Sequence, residues 1–204
     1  MAYVRKRKSA VKTVVPKKST RKQTVYEIDG FKYRSRVLRD YHEELSNDKN
    51  VKSFKLPTLG NEQEARVKRF GAFKVTINDI LFDSIMESRF YVYLMGLKKS
   101  KEIKKFERQV TFELQEKFKN KFTGKTILPI NYIADFVVTD KDGYVFVVDV
   151  KGLETPDFKI KKKLFMHKYP DIQFMCVQWV AKSKEWLDLD EIKKTRRARK
   201  KKGK

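Results

Sequence analysis

Two apolar runs joined by a short polar turn, NYIADFVVT at 131–139 and YVFVVDV at 144–150, constrain this chain more than any other feature. Both are rich in β-branched and aromatic residues, and the turn Lys141-Asp142-Gly143 between them marks an antiparallel hairpin. The register of that hairpin decides which side chains meet. With Lys141–Gly143 as a three-residue loop, Asp140 pairs with Tyr144 and Asp135 falls directly opposite Asp149, the two Cβ atoms close together on one face. A two-residue turn at Asp142-Gly143 shifts every pair by one and separates the two acids. Both registers are open to the sequence. In either, Asp149 and Lys151 stand two apart on one strand and leave the same face, an acid and a cation where a purely structural strand would carry apolar residues.

The surrounding segments extend the pattern. SIMESRFYVYLMGL (84–97) has helical periodicity and FERQVTFEL (106–114) reads as a strand, with a loop over 119–126. Phe158, Leu164 and Phe165 predict a helix over about 156–168, broken by Pro170-Asp171. The nearly unbroken apolar run IQFMCVQWV (172–180) suits a strand covered on both faces. Helix, three strands, helix, strand is an αβββαβ order, which predicts an α/β fold with a mixed central sheet flanked by helices.

Upstream, a hairpin–helix layout occurs twice. TVYEI-DG-FKYRS (24–35) is followed by SRVLRDYHEEL (35–45), with Val37, Leu38, Tyr41 and Leu45 expected on one face. FKVTI-ND-ILFDS (73–84) precedes the helix at 84–97. A shift of 49 residues aligns Ile28 with Ile77, Tyr33 with Phe82, Ser35 with Ser84, Tyr41 with Phe90 and Leu45 with Leu94. The pattern is that of a degenerate internal duplication, or of two hairpins sharing turn chemistry. Glu87 in the second unit aligns with Leu38 in the first, so the first unit lacks that acid and reads as an N-terminal appendage.

Charge is unevenly distributed. The net charge is +23, but residues 1–22 and 193–204 each hold nine Lys or Arg and no acid, which leaves 23–192 at only +5. The expected organisation is a basic disordered tail at 1–22, the appendage at 23–50, a linker at 51–72, a core at 73–190 and a second basic tail at 191–204. Such tails suit polyanion binding; solubility, an anionic membrane surface, or an RNA- and ribosome-associated role are the other readings. The single cysteine, Cys176, lies in an apolar strand and argues against a disulfide framework. No apolar stretch approaches a membrane span and the basic N-terminus lacks a following apolar segment, so a cytoplasmic location and no membrane partner are expected.

Carboxylates held as close as Asp135 and Asp149 would be in the three-residue-loop register repel one another unless a cation lies between them. Mg²⁺, with Mn²⁺ as a substitute, accepts carboxylate oxygens, a backbone carbonyl such as that of Val150, and water. It would lower the pKa of a bound water, and Lys151 would orient that water or stabilise charge on a phosphate. Taken singly, each residue has a plainer role: Asp149 and Lys151 as a surface pair, Asp135 as a strand-end acid, and Glu87 as part of a Ser84-x-x-Glu87 capping box. Lys161, Lys162 and Lys163 fit either DNA phosphate contacts or a solvated helix face. His42 and His167 with Cys176 do not match zinc spacings, and no glycine-rich phosphate loop is present.

As an ordered set, FDSIMESRFYVYL with Glu87, FERQVTFEL, NYIADF with Asp135 and VVDVKG with Asp149 and Lys151 resemble the PD-(D/E)XK, or restriction-endonuclease-like, nuclease superfamily over about residues 73–180. The likeness is to small phage-encoded nucleases, and also to transposon-end and phage head-completion nucleases. It implies that Glu87, Asp135 and Asp149 are metal ligands, that Lys151 is the catalytic lysine, and that Gln109 assists. Ala134 stands where the motif's name has proline. The activity implied is Mg²⁺-dependent DNA endonuclease, structure-specific for branched or junction DNA in one form, with a homodimer expected where two strands must be cut and a phage or transposition protein as a further partner. The alternative is a non-catalytic DNA-binding or virion assembly protein on a nuclease fold.

Overall fold

A computed structural model of the chain describes residues 24–60 and 73–202. The expected N-terminal tail at 1–22 and most of the expected linker fall outside the described residues. The first unit comprises β1 (Tyr26–Ile28), β2 (Phe31–Tyr33) and α1 (Arg36–Asn47), followed by a short β3 (Phe54–Lys55). The second comprises β4 (Val75–Ile77), β5 (Ile80–Phe82) and α2 (Ile85–Lys99). Every strand of the first unit recurs in the second at the 49-residue shift, and both helices begin one residue after the aligned Ser35 and Ser84. Each hairpin closes through two residues of positive φ, Asp29 (49°) with Gly30 (77°) and Asn78 (47°) with Asp79 (64°), the backbone a type I′ turn requires.

The rest of the chain runs β6 (Ile103–Gln115), a small hairpin of β7 (Phe118–Lys119) and β8 (Thr126–Ile127), then β9 (Ile130–Asp140), β10 (Val145–Val150), α3 (Pro156–Lys168), β11 (Gln173–Val180), β12 (Glu185–Asp188) and α4 (Leu189–Lys202). Five strands form one sheet in the order β12-β11-β10-β9-β6. Only β10 and β11 are parallel, and α3 is the crossover between them, so the sheet is mixed as expected. The β9–β10 ladder runs Thr139↔Val145 to Phe136↔Val148, and Asp140 N–H donates to the Tyr144 carbonyl at 3.0 Å. That is the three-residue-loop register, and it puts Asp149 opposite Asp135.

Alternation along the strands builds two apolar layers. Val148, Val150 and Val177 pack under Phe90 and Leu94 of α2, whereas Val147 and Cys176 pack against Phe158 and Phe165 of α3. The central strands are therefore covered on both faces, which is why they carry so few polar residues. A third cluster joins the repeated units: Tyr33, Leu38, Tyr41 and Leu45 of the first pack with Val75, Ile77, Phe82 and Val92 of the second. The first unit is thus part of a shared core as well as an extension of the sheet domain, and α2 is buried between the two.

Three expectations need correction. Residues 51–60 are not a free linker: β3 pairs with β4, Leu56 is buried, and the Asn78 side chain binds the backbone of Asn50, Lys52 and Ser53. The stretch 189–202, expected as a tail from 191 onward, is helical; buried Leu189 and Ile192 anchor its first turns. On α1, Val37 faces outward and His42 faces inward in its place, because Tyr33 Oη at 2.7 Å and Asp29 Oδ2 at 3.3 Å satisfy the ring nitrogens. Strand β12 was not anticipated.

Leu38 is fully buried in the shared core, so Leu38→Ala should cost about 2–5 kcal/mol. Urea unfolding followed by fluorescence of Trp179 and Trp186, both in the central sheet, should show the midpoint moving down in a single transition. An unchanged tryptophan midpoint would mean that the first unit does not share a cooperative core with the sheet.

Candidate active site

The site forms where β9 and β10 leave the core near the start of α2. Asp149 is buried, at 1% exposure, yet it is an acid near the carboxyl end of an apolar strand. Tyr132 O–H donates to its Oδ2 at 2.6 Å, and Lys151 Nζ lies 3.1 Å from its Oδ1. The lysine contact is an ion pair outside hydrogen-bond geometry, so Asp149 Oδ1 is buried with no hydrogen-bond partner. Lys151 Nζ also lies 5.1 Å from the Phe158 ring centre. Burial opposes the lysine's charge, but Asp149, Asp135 and Glu87 outweigh it and hold the ammonium above its ordinary pKa.

Asp135 reaches across the register to accept the Val150 N–H at 2.9 Å. Burial, and then the Asp149 charge, push its carboxyl up from 3.8 to about 7, against the pull of Lys151. Glu87 comes from the first turn of α2. Its N–H donates to Ser84 Oγ at 3.1 Å and the serine hydroxyl donates back to Oε1 at 3.0 Å. The capping role read from Ser84-x-x-Glu87 is therefore real, although the carboxylate meets the serine hydroxyl instead of its backbone N–H. The cap does not exclude a place in the site: Glu87 lines the same cleft as Asp149 and Lys151, and burial raises its pKa with smaller pushes from Asp83 and Asp149. That cleft has a volume of about 860 Å³ and is also bordered by Val150, Tyr132, Thr155 and Lys161.

Asp135 marks a change of face. Phe136 and Val138 pack on the α2 side of the sheet, while Tyr132 and Ala134, of the same parity, pack on the α3 side. Along β6, Phe106 likewise packs on the α2 side and Phe112 and Leu114 on the other. Gln109 stands at the crossover with φ 52°, between the pairs Arg108↔Phe136 and Val110↔Ala134 and thus opposite Asp135. A non-glycine residue held there costs on the order of 1–3 kcal/mol. Strict alternation would have sent Tyr132 to the face away from Asp149, so its role was invisible in the sequence. Gln109 is exposed beside Asp135.

The three lysines of α3 diverge, because successive helical residues turn by about 100°. Lys161 borders the cleft and lies 3.7 Å from Asp157. Lys163 is exposed. Lys162 turns inward to Glu154 (4.0 Å) and Asp190 (3.6 Å), which Lys193 also joins, so it ties α3 to α4 and is not placed as an outward phosphate contact.

A family model described as a protein of unknown function, DUF1064, matches residues 67–188. The chain belongs to the DUF1064 family. The DUF1064 segment contains the second hairpin–helix unit, the whole central sheet and all the cleft acids, and leaves out β1, β2, α1, β3 and α4. No curated protein matches the chain.

Among the described residues, no three of His, Cys, Asp and Glu converge as a ready-made metal cage, and none of the helices is long and apolar enough to cross a membrane. Mg²⁺ does not require such a cage, since it binds through one or two carboxylates and keeps water. Asp149 Oδ1, met by the Lys151 ammonium but by no hydrogen bond, and the raised Asp135 beside it are both features that a further cation would relieve, so the donor set fits a hard divalent ion. The raised Asp135 pKa also fixes a sign. The folded state holds that proton more tightly than the unfolded one, so stability is lost as pH rises from about 4 to about 7. In EDTA, denaturation midpoints between about pH 5 and about pH 8 should fall for the wild type and fall less for Asp135→Asn; equal pH dependence would place Asp135 in solvent.

Proposed function

We propose that this DUF1064 protein is a metal-dependent DNA endonuclease of the PD-(D/E)XK type. The observation that carries the reading is the buried Asp149, opposite Asp135 and on the same face as Lys151, with one carboxylate oxygen left without a hydrogen bond at the wall of a cleft. Two carboxylates set opposite each other repel, and the one Lys151 ammonium, 3.1 Å from Asp149 Oδ1, offsets only one of the two charges, which leaves the pair short of positive charge. Asp149 and Asp135, with the Val150 carbonyl and Glu87, would hold Mg²⁺ or Mn²⁺, which when bound supplies an acidified water and a neutralising charge for a phosphodiester.

The remaining tasks belong to side chains of this chain. Tyr132 holds Asp149 Oδ2 by its hydroxyl, so the carboxylate cannot rotate freely and its second oxygen stays turned to Lys151. The Val150 N–H fixes Asp135 in the same way. Lys151, kept protonated by three acids, is placed to orient a water or to stabilise negative charge on a phosphate oxygen. Gln109, the exposed Lys163 and the half-buried Lys161 at the cleft edge would meet the DNA backbone. A junction substrate would call for two copies of the chain, and the partnership with phage or transposition proteins and the cytoplasmic setting belong to the same proposal.

The test is cleavage of supercoiled, single-stranded and branched DNA with Mg²⁺, Mn²⁺ or EDTA. Cutting should require the metal and should fall by about 100-fold or more in Asp149→Ala and in Lys151→Ala. DNA binding without cutting of any of these substrates would retire the catalytic reading in favour of a DNA-binding or virion assembly protein on this fold.

A further inference from the structure

Arg108 is a cation held beside the acidic cluster with no ion-pair partner among the described residues. It lies on β6 one residue before Gln109, opposite Phe136 and hence next to Asp135 along the neighbouring strand. Its guanidinium is stacked 4.1 Å from the Phe82 ring centre and lies 5.7 Å from that of Tyr91. Its Nε is buried without a hydrogen-bond partner, and an Nη donates one long bond, 3.4 Å, to the Leu81 carbonyl. Glu87 and Asp135 are close enough for their charges to bear on it, yet Arg108 forms no ion pair within 4.0 Å among the described residues.

Arg89 shows the contrast. It is also stacked on aromatic rings, those of Tyr41 and Trp179, at the edge of another cavity of about 770 Å³. There, however, two of its nitrogens bind Glu44 Oε2 at 3.0 and 2.7 Å, so its charge is used within the fold. Arg108 has five N–H donors and one weak internal acceptor. Contact with the Phe82 ring restrains the guanidinium, whose remaining donors suit capture of phosphate oxygens, and is a poor substitute for an ion pair if charge balance alone were needed.

We propose that Arg108, clamped by Phe82 and Tyr91, is a phosphate-binding residue that receives the backbone of a nucleic acid strand beside the carboxylates. The proposal rests on the nuclease reading for its place in a reaction, but its binding role can be read without any cleavage. The variants are Arg108→Met, which keeps a stem against Phe82, and Arg108→Lys, which keeps the charge without the fork.

The first measurement is the affinity of a short DNA oligonucleotide in EDTA, beside Mn²⁺ affinity by calorimetry without DNA and a thermal melt of each variant. Arg108→Met should weaken the oligonucleotide by about 10- to 100-fold, with Arg108→Lys between it and wild type. Mn²⁺ should bind Arg108→Met at least as tightly as wild type, because a cation has left the neighbourhood of the acids. Where the wild type cuts DNA, KM should rise in the same order. Unchanged oligonucleotide affinity in folded Arg108→Met overturns the proposal and leaves Arg108 as charge balance only. Loss of oligonucleotide binding in a protein that never cuts DNA upholds the phosphate contact while rejecting the nuclease.

Discussion

The register between β9 and β10 is the constraint on which the site depends, and a single side chain secures it. Asp140 Oδ1 accepts the backbone N–H groups of Asp142, Gly143 and Tyr144 at 2.8–2.9 Å, closing the turn around Lys141–Gly143. A carboxylate gathering three backbone donors stabilises one loop geometry over its one-residue alternative. From that turn the ladder runs to Phe136↔Val148 and brings Asp135 and Asp149 opposite each other. A slip of one residue would also turn Val147 and Val148 to the wrong layers, so the apolar core and the acidic cluster select the same register.

The acids are costly where they stand, and the surrounding elements limit that cost. Tyr132 and Lys151 address Asp149, a backbone N–H addresses Asp135, and Ser84 addresses Glu87. These partners come from β9, β10 and the N-terminus of α2, whose position depends on the shared core with the first hairpin–helix unit. Tyr41 Oη binds Ser88 Oγ at 2.9 Å, one residue from Glu87, and is a direct link from that unit to the helix carrying the acid. The recurring hairpin–helix layout thus gives the site a support: the position that is Glu87 in one unit is Leu38, fully buried, in the other.

How much could be read beforehand follows from which features are local. Turn residues at Asp29-Gly30 and Asn78-Asp79, the alternating strands and the cap at Ser84 act over a few residues, and their spans came out nearly as expected. Lys162 and the basic stretch after Leu189 did not, because what they do depends on Glu154 and Asp190, acids placed next to them only by folding. Val37 and His42 exchanged places for the same reason: an apolar residue one step off the buried stripe is left outside when a histidine finds two polar partners inside.

By itself the sequence determined the α/β class, the αβββαβ order of the core elements, the recurring hairpin–helix layout and the placing of Asp149 and Lys151 on one face, since periods of 2 and 3.6 residues and two-residue turns are properties of the local chain. Only the tertiary structure decided that Asp135 lies opposite Asp149, because two turns were open to the same residues. It also decided that β6 and β9 change face at Gln109 and Asp135, which delivers Tyr132 to Asp149, and that Arg108 lies beside the acids on a platform built from β5 and α2. Those relations join residues far apart in the chain, and they are fixed by burial and by the scarcity of partners for buried charge, which no local periodicity encodes.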